Sequence, residues 1–184
     1  VVDFGWLTTS VQWQALDPDN GDVHIYRQLY RTQQLVSDIA HQAKEIEKIK
    51  DTRAVRYEAV VCDHDAEGRA QLERIWQCST QAAHKSIREG IEAVTARFAS
   101  RKGRRIWIHR GSLAHPPDRI LAKSGHPTDL VDELLGYRFD DKKDGYPIKA
   151  NDHACDTLRY GVCYWDGVSK DGAAAATTHA LMMA

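Results

Sequence analysis

The sequence predicts an α/β domain built on a mixed sheet, and three observations carry that prediction. Apolar and polar residues alternate over three runs near the amino terminus, at the two-residue period of half-buried strands. From Leu35 onward the period lengthens to that of amphipathic helices. Between the helical stretches, strand-like apolar runs return at residues 57–62 and 106–109. At 184 residues, 42% apolar and 28% charged, the chain suits one ordinary soluble domain.

Composition also excludes several classes. No apolar run approaches the roughly 18 residues of a membrane span, and no basic-then-apolar leader opens the chain. The four cysteines, Cys62, Cys78, Cys155 and Cys163, show no CxxC spacing, which reads as free thiols of a reducing compartment and speaks against zinc. A net charge of −1 gives no global signal for nucleic acid, so such a ligand needs local patches or a metal. The chain starts abruptly on a strand, as expected of a carboxy-terminal domain cut from a longer protein.

The first strand, residues 1–6, carries Asp3 inside an apolar run, where a carboxylate is costly unless something positive meets it. Residues 10–16 set Val11, Trp13 and Ala15 on one face, and residues 23–30 alternate likewise. The turn formers at 17–22 join these two as an antiparallel hairpin. A helix follows with Leu35, Val36, Ile39, Ala43 and Ile46 on its inner stripe. The strand at 57–62 runs into Asp63-His64-Asp65-Ala66-Glu67, and Leu72, Ile75 and Trp76 mark a short helix. Ser86 and Glu89 have capping-box spacing and open a helix with Ile87, Ile91, Val94 and Phe98 on a core stripe. The basic residues Arg97, Arg101, Lys102, Arg104 and Arg105 precede the strand at 106–109. Residues 111–149 read as a surface excursion, with helical turns around Leu130 to Leu135 and a flexible acidic and basic loop at 140–145. A last helix is capped by Asn151 or Asp152 and buries Ala154 or Cys155, Leu158, Val162 and Trp165. Beyond Asp166 the Gly- and Ala-rich residues read as a flexible tail.

Three acidic points stand out: Asp3, the pair Asp63 and Asp65, and Asp152 with Asp156 near His153. Converging carboxylates repel and are tolerated where they hold cations, and oxygen ligands favour Mg²⁺ or Mn²⁺. Two such ions roughly 3.5 to 4 Å apart hydrolyse phosphodiesters. Each point also has a plain structural use: Asp63 and Asp65 as turn residues, Asp152 as a cap, Asp156 as a partner of Arg159 or Arg56. Asp3 has no such easy alternative.

Residues 1–6, the Val60-Val61-Cys62-Asp63-His64-Asp65-Ala66-Glu67 segment, Lys85-Ser86-Ile87-Arg88-Glu89-Gly90-Ile91 and, above all, Asn151-Asp152-His153-Ala154-Cys155-Asp156-Thr157-Leu158-Arg159-Tyr160 resemble the nuclease domain of the large terminase subunit of tailed bacteriophages. The resemblance covers roughly residues 1–165, and its DHxxDxxRY-like element is the most specific part. It implies a ribonuclease H-like fold with a five-stranded mixed sheet over residues 1–166, and a tail at 167–184. It also implies a Mg²⁺- or Mn²⁺-dependent endonuclease, using two ions, that cuts concatemeric viral DNA during packaging in the host cytoplasm.

By the same resemblance Asp3, Asp63 and Asp156 are the catalytic metal ligands, with His153 close by, and Asp65 or Asp152 further candidates. Asp63 is preferred to Asp65 because it lies nearer the strand end. Lys85 matches a lysine that commonly precedes the Ser-Ile segment and is a candidate phosphate contact, with a solvated surface lysine the readier alternative. Arg101, Lys102, Arg104 and Arg105 are candidate contacts to the DNA backbone and read equally as a solvated helix end. The implied partners are double-stranded DNA, the portal protein, the small terminase subunit and the protein's own ATPase domain, with no membrane. No GxxxxGK[ST] loop occurs here, so the motor domain is expected to be absent from this chain. Two other readings stay open: a degenerate, non-cutting docking module, and a resolvase or transposase of the same fold.

Overall fold

A computed structural model describes residues 1–50, 56–143 and 145–168. The expected tail from residue 169 onward, and Asp144 of the acidic and basic loop, lie outside them. The first three strands, β1 (Val2–Asp3), β2 (Thr9–Leu16) and β3 (Val23–Arg31), form the expected antiparallel meander. Asp17 closes the β2–β3 turn by accepting from the Asp19 amide and the Asn20 side chain. A register shift between Trp13 and Gln14 breaks the alternation, so Val11 and Trp13 are buried while Ala15 turns outward. The shared face expected of these three residues therefore ends at Trp13.

Helix α1 (Val36–Lys50) buries Ile39, Ala40, Ala43 and Ile46 against Val11, Trp13 and Leu29. Leu35 precedes the helix and is exposed, so it does not belong to the stripe. Strand β4 (Val61–Cys62) pairs parallel with β1, α2 (Ala66–Trp76) follows, and β5 (Gln81–Ala82) pairs parallel with β4. Helix α3 (Ile87–Ala99) leads to β6 (Ile106–Ile108), parallel with β3. Then come α4 (Arg119–Lys123), α5 (Leu130–Gly136) and α6 (His153–Trp165).

The sheet order is β5-β4-β1-β2-β3-β6, six strands rather than the expected five. The additional strand, β5, is two exposed residues long, too short for any periodicity to show. With α1 and α2 on one face and α5 and α6 on the other, the architecture is the ribonuclease H-like α/β fold.

Polar residues on the inner faces pin the helices. Gln12 Nε2 donates to the Ala154 carbonyl of α6, and Gln28 Oε1 accepts from the Leu130 amide at the start of α5. Residues 111–149 are consequently no mere excursion, since Leu121 and Leu130 enter the core beside α6. Within the loop at 140–145, the Asp140 amide donates to the Tyr146 carbonyl and Phe139 bridges Pro147. On α3 the buried positions are Gly90 and Arg97, while Phe98 is exposed. Arg97 leaves the expected basic surface because its guanidinium is spent on Asp166 at 2.8 and 2.9 Å and on the Gly21 carbonyl. All four cysteines are free thiols. Among the described residues no helix is long and apolar enough to cross a membrane.

Candidate active site

Strand pairing alone brings two of the carboxylates together. Val2 is in register with Cys62, and the Asp63 amide donates to the Val2 carbonyl at 3.0 Å. Asp3 and Asp63 thus leave neighbouring parallel strands at one level, where strands lie about 4.8 Å apart. Val2 and Cys62 face α1, so the alternation turns Asp3 and Asp63 toward α6. Helix α6 meets them with His153, Asp156 and Tyr160, spaced three and four residues apart and hence on one face.

His153 Nδ1 lies 2.7 Å from Asp3 Oδ2. The ring sits directly over Gly5, where a Cβ would come within 2.9 Å of His153 Cε1 and 2.5 Å of the Thr8 carbonyl. Only glycine leaves that space. Tyr160 donates its hydroxyl to Asp63 Oδ1 at 3.4 Å. Arg159 donates Nε and Nη2 to Asp156 Oδ1 at 3.2 and 3.0 Å. Its stem crosses α3 at Gly90, where a Cβ would lie 2.4 Å from Arg159 Cγ.

Asp3 is 6% exposed. Burial pushes its carboxyl up to about 6, the His153 hydrogen bond pulls the other way, and Asp156 and Asp63 add to the rise. Burial likewise raises Asp156, against the pull of Arg159. His153 is raised by its bond to Asp3 in spite of burial. Burial and then the three carboxylates Asp3, Asp156 and Asp63 raise the Tyr160 hydroxyl, which keeps it a hydrogen-bond donor.

The other candidates separate by position. Asp65 caps α2, accepting from the Glu67 and Gly68 amides at 3.2 Å each, whereas Asp63 turns to Asp3 and Tyr160. Asp152 occupies the cap position of α6 yet makes no side-chain capping bond. Lys85 follows His84, whose carbonyl accepts from Arg159, so it stands at the carboxylate end of the sheet. Arg101, Lys102, Arg104 and Arg105 stand at the other end, beside Asn20 and Asp22 at the start of β3. The span from Ser10, level with Asp3, to Leu16, level with Val23, is about 20 Å along β2. Arg105 is also drawn to Asp22 at 3.7 Å and lies over the Trp107 ring.

Sequence reasoning misses two participants. Glu133, 1% exposed on α5, accepts from the Cys155 amide of α6 at 2.9 Å and from the Tyr30 hydroxyl, and burial pushes it up to about 7. Lys149 lies near enough to draw the Asp156 carboxyl downward, though burial outweighs it. Glu133 lies inside a segment that reads as surface, and nothing in its periodicity marks it.

In donor chemistry the three carboxylates of the cluster, Asp3, Asp63 and Asp156, suit a hard divalent cation. One oxygen of each carboxylate is engaged within the protein: Asp3 Oδ2 by His153, Asp63 Oδ1 by Tyr160 and Asp156 Oδ1 by Arg159. No three His, Cys, Asp or Glu side chains among the described residues are gathered at the spacing of a complete ligand set. The side chains are assembled as ion pairs and hydrogen bonds.

No protein-family model matches the chain, and no curated protein does. Among solved structures it is similar to the large terminase of a thermophilic bacteriophage in complex with ADP, at 18% identity and a TM-score of 0.62, over 88% of this chain and 38% of that one. It is also similar to the nuclease domain of the P22 large terminase, at 15% identity and a TM-score of 0.57, over 87% and 76%. A third is the SPP1 large terminase nuclease domain with bound Mn, at 14% identity and a TM-score of 0.55, over 86% and 81%. The chain spans well under half the length of the thermophilic phage protein. At these identities what is shared is the fold.

Proposed function

We propose that this chain is the nuclease domain of a phage or prophage large terminase, a divalent-metal-dependent endonuclease that hydrolyses double-stranded DNA during genome packaging. One observation carries the reading: Asp3 and Asp63, at one level on adjacent parallel strands, meet His153 and Asp156 of α6 on the same side of the sheet, His153 in direct contact with Asp3. Three structural requirements of a cap, a turn or a surface pair would not gather these groups on one side of one sheet. Support comes from the fold shared with the P22 and SPP1 nuclease domains, the second of which binds Mn.

In this reading Asp3, Asp63 and Asp156 hold the cations, two in number, with Asp152 or His153 at the margin. Bound Mg²⁺ or Mn²⁺ supplies Lewis acidity at the phosphoryl group and an acidified water. Asp3 lies close enough to both Asp63 and Asp156 to feel their charge, and it would be the central carboxylate of such a set. Tyr160 points its hydroxyl at Asp63, and Arg159 holds Asp156 through two donated bonds. His153 holds Asp3 and can accept or return a proton at its ring. In hydrolysis a water oxygen would bond to phosphorus as the bond to the 3′ oxygen breaks, the water's proton passing to the His153 ring or to solvent and a proton returning to the 3′ oxygen, which leaves a 3′-hydroxyl and a 5′-phosphate. Lys85 contributes charge toward the phosphate backbone. The partners that accompany this reading are the portal protein, the small terminase subunit and an ATPase domain, in the host cytoplasm.

One observation favours the non-cutting docking module instead: Asp3 and Asp156 are already matched by His153 and Arg159. Plasmid cleavage by the purified chain decides between the two. The nuclease reading expects relaxed and linear products with Mn²⁺ or Mg²⁺, and none with EDTA or in Asp3→Asn. A folded protein that leaves the plasmid intact under all conditions, including saturating Mn²⁺, overturns it.

A further inference from the structure

We infer that Glu133 is a positioning residue of the carboxylate centre: reaching across from α5, it replaces the missing side-chain cap of α6 and so fixes where His153 and Asp156 stand. The inference rests on the nuclease reading for its catalytic consequence and on geometry alone for its structural one.

The first turn of a helix leaves amides without intrahelical partners, and a side chain at the cap position ordinarily takes one. Asp152 occupies that position and takes none. Instead Glu133 Oε2, twenty-two residues earlier in the chain, accepts from the Cys155 amide at 2.9 Å, while its Oε1 accepts from the Tyr30 hydroxyl. Tyr30 belongs to β3 and is 2% exposed, so the carboxylate ties the catalytic helix to the rigid sheet. A carboxylate at a helix amino terminus is also favoured by the helix dipole.

Two further contacts show that the start of α6 is located from outside. Gln12 Nε2 on β2 donates to the Ala154 carbonyl, and Gln28 Oε1 on β3 holds the amide of Leu130, three residues before Glu133 on the same inner face of α5. Asp152 is thereby left with its carboxylate available at the site. His153 and Asp156 flank Cys155, the residue whose amide Glu133 holds, so a shift of that amide moves both.

The test uses the full chain with Glu133→Ala and Glu133→Gln. Gln keeps an oxygen for the Cys155 amide and an NH₂ for the Tyr30 oxygen, so it should rescue the position; Ala cannot. In metal-free protein the ¹⁵N resonance of His153 Nδ1 reports its hydrogen bond to Asp3. Glu133→Ala is expected to move that resonance and to speed amide exchange at Cys155 while cooperative unfolding persists. It should lower kcat at saturating Mn²⁺ on the order of a hundredfold, as angstrom-scale misplacement of catalytic groups does. Glu133→Gln should stay near wild type in all three readouts. An unmoved His153 resonance in folded Glu133→Ala overturns the inference, and so does equal loss in both variants. Absence of cleavage by the wild-type chain would count against the nuclease reading alone, because the resonance and exchange measurements need no metal.

Discussion

Replacing Asp3 by Asn should stabilise the metal-free protein above pH 7 while removing cleavage. Burial holds the Asp3 carboxyl at about 6 against an ordinary 3.8, so the folded state binds that proton more tightly than the unfolded state does. The resulting stabilisation is complete below about pH 4 and is lost as pH rises through 6. Above pH 7 the folded state therefore bears the whole cost of an ionised, buried Asp3. At about 1.4 kcal/mol per pH unit, the interval from 3.8 to about 6 amounts to roughly 3 kcal/mol. That interval already includes the favourable pull of the His153 hydrogen bond, and Asn retains the shape and an oxygen for His153, so the gain is up to about 3 kcal/mol. For a chain of this size that raises the unfolding midpoint by roughly 6–12 °C. Scanning calorimetry in EDTA at pH 8 and pH 4 reads it, and the gain should shrink toward zero at the lower pH. A folded Asp3→Asn protein with an unchanged or lower midpoint at pH 8 would refute the electrostatic reasoning.

Three other substitutions sort the remaining residues. Gly5→Ala should lower stability by about 1–3 kcal/mol and suppress cleavage, because its Cβ meets the Thr8 carbonyl and the His153 ring, whereas Gly136→Ala meets nothing and should be neutral or slightly stabilising in thermal melts. Asp65→Ala should cost about 1 kcal/mol as a lost helix cap yet leave cleavage intact, while Asp63→Asn should abolish cleavage; inactivity of folded Asp65→Ala would exchange their roles. Lys85→Ala should reduce the salt slope of DNA binding by about one, whereas Arg104→Ala, at the far end of the sheet, should leave cleavage rates unchanged.

The meander and α6 were legible because their signals are local. Turn formers at 17–22 and an apolar stripe through Ala154, Leu158 and Val162 mark these elements without help from the rest of the chain. Asp3 stood out because a carboxylate in an apolar strand is an energetic exception, and the structure sets it beside Asp63 through a single register pair. What escaped reading depends on partners far away in sequence. β5 exists only as a ladder onto β4, and the shift at Trp13 is visible only against β3. Arg97 looks like its basic neighbours until Asp166, sixty-nine residues on, takes its guanidinium. Glu133 is likewise an ordinary acidic residue of a short helix until α6 is laid against it.

The nuclease reading turns on three carboxylates, from β1, β4 and α6, forming one cation site. Calorimetric titration of the metal-free chain with Mn²⁺, alongside Asp3→Asn, Asp63→Asn, Asp156→Asn and Asp65→Ala, tests it directly. Binding by the wild type and by Asp65→Ala, weakened at least tenfold in each of the other three, is the predicted result. Undiminished binding in Asp3→Asn, or no binding by a folded wild-type chain, would contradict it.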